Sequence, residues 1–206
     1  MIFYLTFGDL ATWLTLAPLK RLMRETGIEV EFVPMIGSLG NVVTSARPGA
    51  EDPLGAYKAR RARARNMAAE RELERMSEML HISVDNARRR TEPLMLSMGL
   101  PWMNQCNASC FDYLDLAFAK TYKEAGDVES EEAVVSMLKT LGESTEGFPE
   151  FAREKREALT VQSDEILANG ILSTPAFSLD GEIFLGREHL PLISWTLGGR
   201  KGPPPV

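Results

Sequence analysis

The chain has 206 residues, 44% of them hydrophobic and 25% charged, with a formal net charge of −6. That balance is globular, enough for one large domain or one domain with an insertion, and its charge disfavours nucleic acid and anionic membrane as partners. No run of about 18 apolar residues exists, "MIFYLTF" has no basic n-region, and only two Cys occur, so neither a membrane span nor a secretory signal is expected and the cytoplasm is the expected location.

Residues 2 to 7 form an apolar, β-favouring run that suits a strand buried on both faces. From Leu10 to Arg24 apolar residues recur at helical spacing; Pro18 predicts a kink or break near Ala17, and Gly27 is the expected C-terminal cap. Residues 28 to 35 read as a second strand, giving a right-handed β-α-β unit with parallel strands. Gly- and Pro-rich residues 36 to 53 predict a long loop. Helices are then predicted from Pro53 to about Leu80, from Val84 to Met98 with an interruption at Pro93, and from Ala108 to Ala125. Ser130 caps a further helix that ends at Gly142, and another runs from Pro149 to Asn169. Two short apolar runs, Ala176 to Leu179 and Glu182 to Leu185, flank Asp180-Gly181, a strong hairpin signal. A short helix in "REHLPLISWTL" and a frayed tail close the chain.

The order is βαβ, then mostly helix, then ββα. Together with "FYLTFGDLATWL" (3 to 14) and "NGILSTPAFSLDGEIFLGREHL" (169 to 190), it resembles the DsbA-like thioredoxin-fold proteins. Within that family it is most similar to the branch of 2-hydroxychromene-2-carboxylate isomerases and kappa-class glutathione transferases. The resemblance implies an α/β thioredoxin-like domain, residues 1–45 and 155–206, split by an inserted all-helical domain, residues 46–154. It also implies a site where the first strand meets the first helix, facing a cis bond between Thr174 and Pro175 that leaves the Thr174 backbone free to pair with a thiol peptide. Read alone, Pro175 need only open a strand, where its missing N–H does no harm.

The departure from the family is "GDLAT", residues 8 to 12. Redox members carry Cys-x-x-Cys at this helix start and the isomerases and kappa transferases a Ser; here the corresponding residue is Asp9. No thiol can attack a disulfide from this position. Two readings of Asp9 stand side by side. As a helix cap, its side chain accepts an amide bond worth about 1 kcal/mol and suits the helix dipole. Both effects favour the carboxylate, so a lowered pKa is expected. As a functional group, it could be a general base or bind a cation or amine. It is a poor partner for a glutathione thiolate: two negative charges about 4 Å apart repel by about 4 kcal/mol at an effective dielectric near 20, raising the thiol pKa by roughly 3 units.

The remaining signals are weaker. Cys106 and Cys110 in "CNASC" have no companion ligands for zinc and read as structural, with a redox pair as the alternative. The run from Lys58 to Arg65 includes Arg60 and Arg61; it is either a solvated helix face or an anion contact, and it lacks the aromatic interleaving of a nucleic-acid surface. His81 and His189 form no recognisable arrangement, and no metal set is predicted. The candidate catalytic residues are therefore Asp9 and Thr12, and the candidate substrate contacts are Trp13, Thr174, Pro175, Arg60 and Arg61. The leading expectation is an isomerase- or transferase-like enzyme acting on a small conjugated organic molecule, with glutathione the one cofactor or partner the resemblance brings and a homodimer its usual assembly. Its rivals are a binding module that lost the chemistry and a thiol oxidoreductase using Cys106 and Cys110.

Overall fold

The structure, a computed structural model, describes residues 1–36, 53–89, 91 and 94–205. Its centre is a four-stranded sheet in the order β2-β1-β3-β4, formed by β1 (Ile2–Leu5), β2 (Glu31–Pro34), β3 (Ala176–Leu179) and β4 (Glu182–Leu185). β1 runs parallel to β2 and antiparallel to β3, and β3 and β4 form the hairpin. Asp180 and Gly181 both have positive φ, 51° and 85°, the requirement of the type I′ turn that matches strand twist. Phe3 lies at the middle of the sheet, opposite Phe32 on one side and stacked on Phe177 on the other at 5.0 Å between ring centroids.

Helix α1 (Leu10–Thr26) joins β1 to β2. It ends at Gly27, whose left-handed φ of 72° lets its N–H return to the Met23 carbonyl. The predicted break at Pro18 does not occur. Pro18 is exposed, so water can reach the carbonyl that its ring leaves unbonded, while Leu16, Leu19 and Leu22 stay buried and hold the helix against the core. The strands are shorter than predicted, because Thr6 and Phe7 pass beyond the ladder and residues 28 to 30 precede it.

The helical region comprises α2 (Pro53–Leu80), α3 (Val84–Ala87), α4 (Leu94–Gln105), α5 (Cys110–Tyr122), α6 (Glu131–Thr140) and α7 (Phe148–Ala168). One predicted helix, Val84 to Met98, is two, and α4 continues through Pro101. The predicted loop at 36–53, the domain boundary at 45–46 and Pro93 fall almost wholly outside the described residues; α7 runs through the other boundary, at 154–155. Ser109 and Ser130 cap α5 and α6 through their side chains, as such residues do before apolar helical runs. α4 and α5 meet at Gly99, where a Cβ would lie 2.1 Å from the Tyr113 ring. Tyr113, fully buried, donates its hydroxyl to the Leu96 carbonyl at 2.8 Å. Buried residues of the sheet and of α4 to α6, among them Phe3, Leu96, Phe118 and Leu138, belong to one continuous core. The 3-10 turn Arg187–His189 and α8 (Leu190–Leu197) close the chain against α1.

Candidate functional site

The turn between β1 and α1 is fixed from behind by aromatic packing. Phe7, fully buried, lies 6.0 Å from Tyr113 and 5.6 Å from Phe118 between ring centroids. The Tyr122 hydroxyl donates to the Phe7 carbonyl at 3.4 Å. Trp13, one turn into α1, stacks on Phe118 and Tyr122 at 5.8 and 6.1 Å, with the Lys123 ammonium over its ring at 5.5 Å. Such contacts contribute of order 1 kcal/mol each beyond the area they bury. Trp13 thus joins α1 to α5. The sequence shows Phe118 and Tyr122 as helical apolar positions, with nothing to tie them to residue 7.

Two residues beyond Phe7, Asp9 caps α1 in extended backbone geometry. Its Oδ1 accepts the Ala11 amide at 2.9 Å, and its Oδ2 accepts the Thr12 hydroxyl at 3.2 Å. The Thr174 hydroxyl reaches the same Oδ2 from the far side at 3.5 Å. Thr12 is fully buried, and Thr174 precedes Pro175 through a cis peptide bond. Four of the predicted site residues, Asp9, Thr12, Thr174 and Pro175, are thereby brought to one place, across 165 positions of sequence. Arg60 and Arg61 are not: both are exposed on α2, and among the described residues neither forms an ion pair or hydrogen bond with this cluster.

The charge state of Asp9 corrects the sequence expectation. Burial pushes its pKa up to about 6, against the amide and hydroxyl bonds from Ala11, Thr12 and Thr174, which pull it down. The cap bonds are present as expected, but desolvation of the carboxylate outweighs them. Asp9 is therefore an acid held well above the usual carboxylate range, at about 6. Gly8 beside it is exposed, and among the described residues no atom beyond its chain neighbours comes within 4 Å of where its Cβ would be.

The two cysteines sit elsewhere. Cys106 lies in the turn after α4 and Cys110 opens α5, so they straddle a helix boundary. Both thiols are free, and the Cys110 Sγ donates to the Asn104 Oδ1 at 3.1 Å. Burial pushes the Cys110 pKa up to about 11; burial, then the Glu143 carboxylate, raises that of Cys106. Among the described residues no three His, Cys, Asp or Glu side chains gather as a metal site, and no helix is long and apolar enough to cross a membrane.

No protein-family model matches the chain, and no curated protein is significantly similar to it. Among solved structures it is similar to that of 2-hydroxychromene-2-carboxylate isomerase in its selenomethionine form, with a TM-score of 0.62 and 15% sequence identity. The match covers 97% of this chain and 96% of that one, so sheet and helical region correspond together. The chain has the DsbA-like thioredoxin fold.

Proposed function

We propose that the protein is an isomerase-like enzyme that relocates a proton on a small conjugated organic molecule bound between Asp9 and Thr174-Pro175. The observation that carries this reading is the sharing of one carboxylate oxygen by hydroxyls from both sides of the turn. A general acid–base works best with a pKa near the working pH, and Asp9, pushed up to about 6, meets that condition. The Thr174 contact, at 3.5 Å, is at the limit of a hydrogen bond and is the one a substrate hydroxyl would replace. Asp9 would take a proton from one substrate atom and return it to another, with no net change in atoms or charge. Thr12, fully buried and donating to the same oxygen, would hold the carboxylate in place.

The likeness to 2-hydroxychromene-2-carboxylate isomerase supports this class of reaction by fold alone. Glutathione is disfavoured as the partner. At pH 7 a group with a pKa near 6 is still mostly ionised, and it would repel a thiolate.

The test is turnover of conjugated, isomerisable substrates by the wild type and by Asp9→Asn. Loss of a positioned acid–base should lower kcat by about 10²- to 10⁴-fold, and the wild-type pH profile should bend near 6. Equal turnover by Asp9→Asn would overturn the reading. Ligand-induced thermal stabilisation without turnover would favour a binding module, and calorimetry with reduced glutathione at millimolar concentration should show no heat.

A further inference from the structure

α2 continues beyond the body that packs it. Leu73, Met76 and Leu80 lie against the core, and Ser77 is buried beside them. From residue 56 to residue 69, by contrast, nearly every position is exposed, including Tyr57 and Met67. This arm carries Lys58, Arg60, Arg61, Arg63 and Arg65, and no acid stands between Pro53 and Glu70. None of the five cations is in an ion pair among the described residues; the pairs of α2 join Glu70 to Arg88 and Glu72 to Arg75. Lys58 and Arg61, Arg60 and Arg63, and Arg61 and Arg65 stand three or four positions apart, where like charges destabilise a helix. The first turn has no acid to meet the helix dipole. The helix therefore gains nothing from these charges by itself.

Their placement around the helix is two-sided. Each residue advances about 100° at 3.6 residues per turn, so Tyr57, Ala64 and Ala68 fall in one line about 40° wide, on the side opposite Leu73 and Leu80. Ala64 and Ala68 are exposed, and their short side chains leave this line low. Arg60 and Arg63 flank it on one side, and Lys58, Arg61 and Arg65 on the other, the two flanks about 160° apart. The Arg61 guanidinium lies over the Tyr57 ring, 5.8 Å from its centroid.

A flat acidic surface, such as a bilayer or a protein face, meets one such flank and leaves the other in water. A duplex groove has a phosphate wall on each side. The major groove of B-form DNA, about 12 Å wide, admits an α-helix, whereas the deep, narrow groove of A-form RNA does not. The arm is about 21 Å long at 1.5 Å per residue, enough to cross the groove. The aromatic interleaving that it lacks is a device for single strands, whose bases stack on rings. The net charge of −6 disfavours nucleic acid as a partner of the body, but the arm stands clear of the body. Residues 58 to 65 lie about 8 to 18 Å along the axis from Glu70, at or beyond the screening length of about 8 Å at physiological salt.

We infer that the arm of α2 binds double-stranded DNA, with the line of Tyr57, Ala64 and Ala68 turned into the major groove. Arg60 and Arg63 meet the phosphates of one wall, and Lys58, Arg61 and Arg65 those of the other. Phosphate contacts carry no base information, so this binding is independent of sequence.

Fluorescence anisotropy of a labelled duplex of about 20 bp, titrated with the full chain at about 50 mM NaCl, should give a micromolar Kd. The slope of log K against log salt should be about −4.5 for five phosphate contacts. Arg60→Gln/Arg63→Gln should flatten it by about 2, and Lys58→Gln/Arg61→Gln/Arg65→Gln by about 3, with the circular dichroism of the fold unchanged. Two single variants test the groove itself, because they change the charge equally on opposite exposed faces. Ala64→Glu should weaken binding at least about tenfold more than Asn66→Glu does, as the groove-facing position requires. No binding at about 100 μM chain and low salt, a slope that responds to one flank only, or equal effects of Ala64→Glu and Asn66→Glu would each overturn the inference. So would tighter capture of the chain by the matching single strand, by poly-glutamate or by phosphatidylglycerol vesicles.

Discussion

Replacing Asp9 by Asn keeps a good cap and removes the charge. The native carboxyl titrates near 6 against 3.8 for the group in water. Between those values the folded state holds more protons than the unfolded one, so the contribution of Asp9 to stability falls as pH rises through that window. A shift of roughly 2 units corresponds to about 3 kcal/mol, and partial solvent screening brings the expected figure to about 2 kcal/mol. Asn is as good an N-cap as Asp, so the Ala11 bond survives the change. Asp9→Asn should therefore be the more stable form at pH 7 by about 2 kcal/mol, a Tm rise of about 4–8 °C for a chain of this size. The gain should shrink as pH falls below about 6 and be small near pH 4, vanishing only below 3.8, where Asp9 is protonated in both the folded and the unfolded state. Thermal unfolding of both proteins from pH 4 to 8 makes the comparison, and other carboxylates cancel in the difference. A constant offset across that range, or a variant less stable at pH 7, would refute the claim that burial outweighs the cap bonds.

Thr12→Val and Thr174→Val each remove a hydroxyl that favours the carboxylate; each should raise the Asp9 pKa further, with the larger effect at Thr12 because its bond is shorter, as followed by carboxyl carbon NMR titration. Cys110, buried with a pKa near 11, should resist alkylation at pH 7 until the protein unfolds, and Cys110→Ser should leave any turnover of the isomerisable substrates unchanged. Gly99→Ala would gain helix propensity of about 1 kcal/mol in an open position, but here its methyl meets the Tyr113 ring, so a net loss of about 1–3 kcal/mol is expected in urea unfolding.

Most of the fold was legible because its signals are local. The Asp180-Gly181 turn, the serine cap at 130 and the apolar run of β1 each specify their own conformation. Pro18 does not break α1 because a proline's effect depends on which side of the helix it faces, and its exposed side is set by the burial of Leu16, Leu19 and Leu22 in the core. The site was legible in its members and not in its electrostatics. Asp9 and Thr174 can be picked out by motif, yet the carboxyl pKa depends on how deeply the turn is buried, and the turn's Phe7 is packed by Phe118 and Tyr122 from a helix more than 100 positions away. Arg60 and Arg61 read as a solvated face first and an anion contact second, since composition does not say where a long helix leaves the body.

The Tyr122–Phe7 bond and the stack of Trp13 on α5 have a consequence for how this chain can be cut or grafted. A minimal protein made by joining β2 directly to β3 would keep every strand and still expose the faces of Phe7 and Trp13. The turn holding Asp9 would then lose its splint. The helical segment is in this sense a built-in brace for the position of one carboxyl group, and the smallest unit able to hold that group in place includes α5.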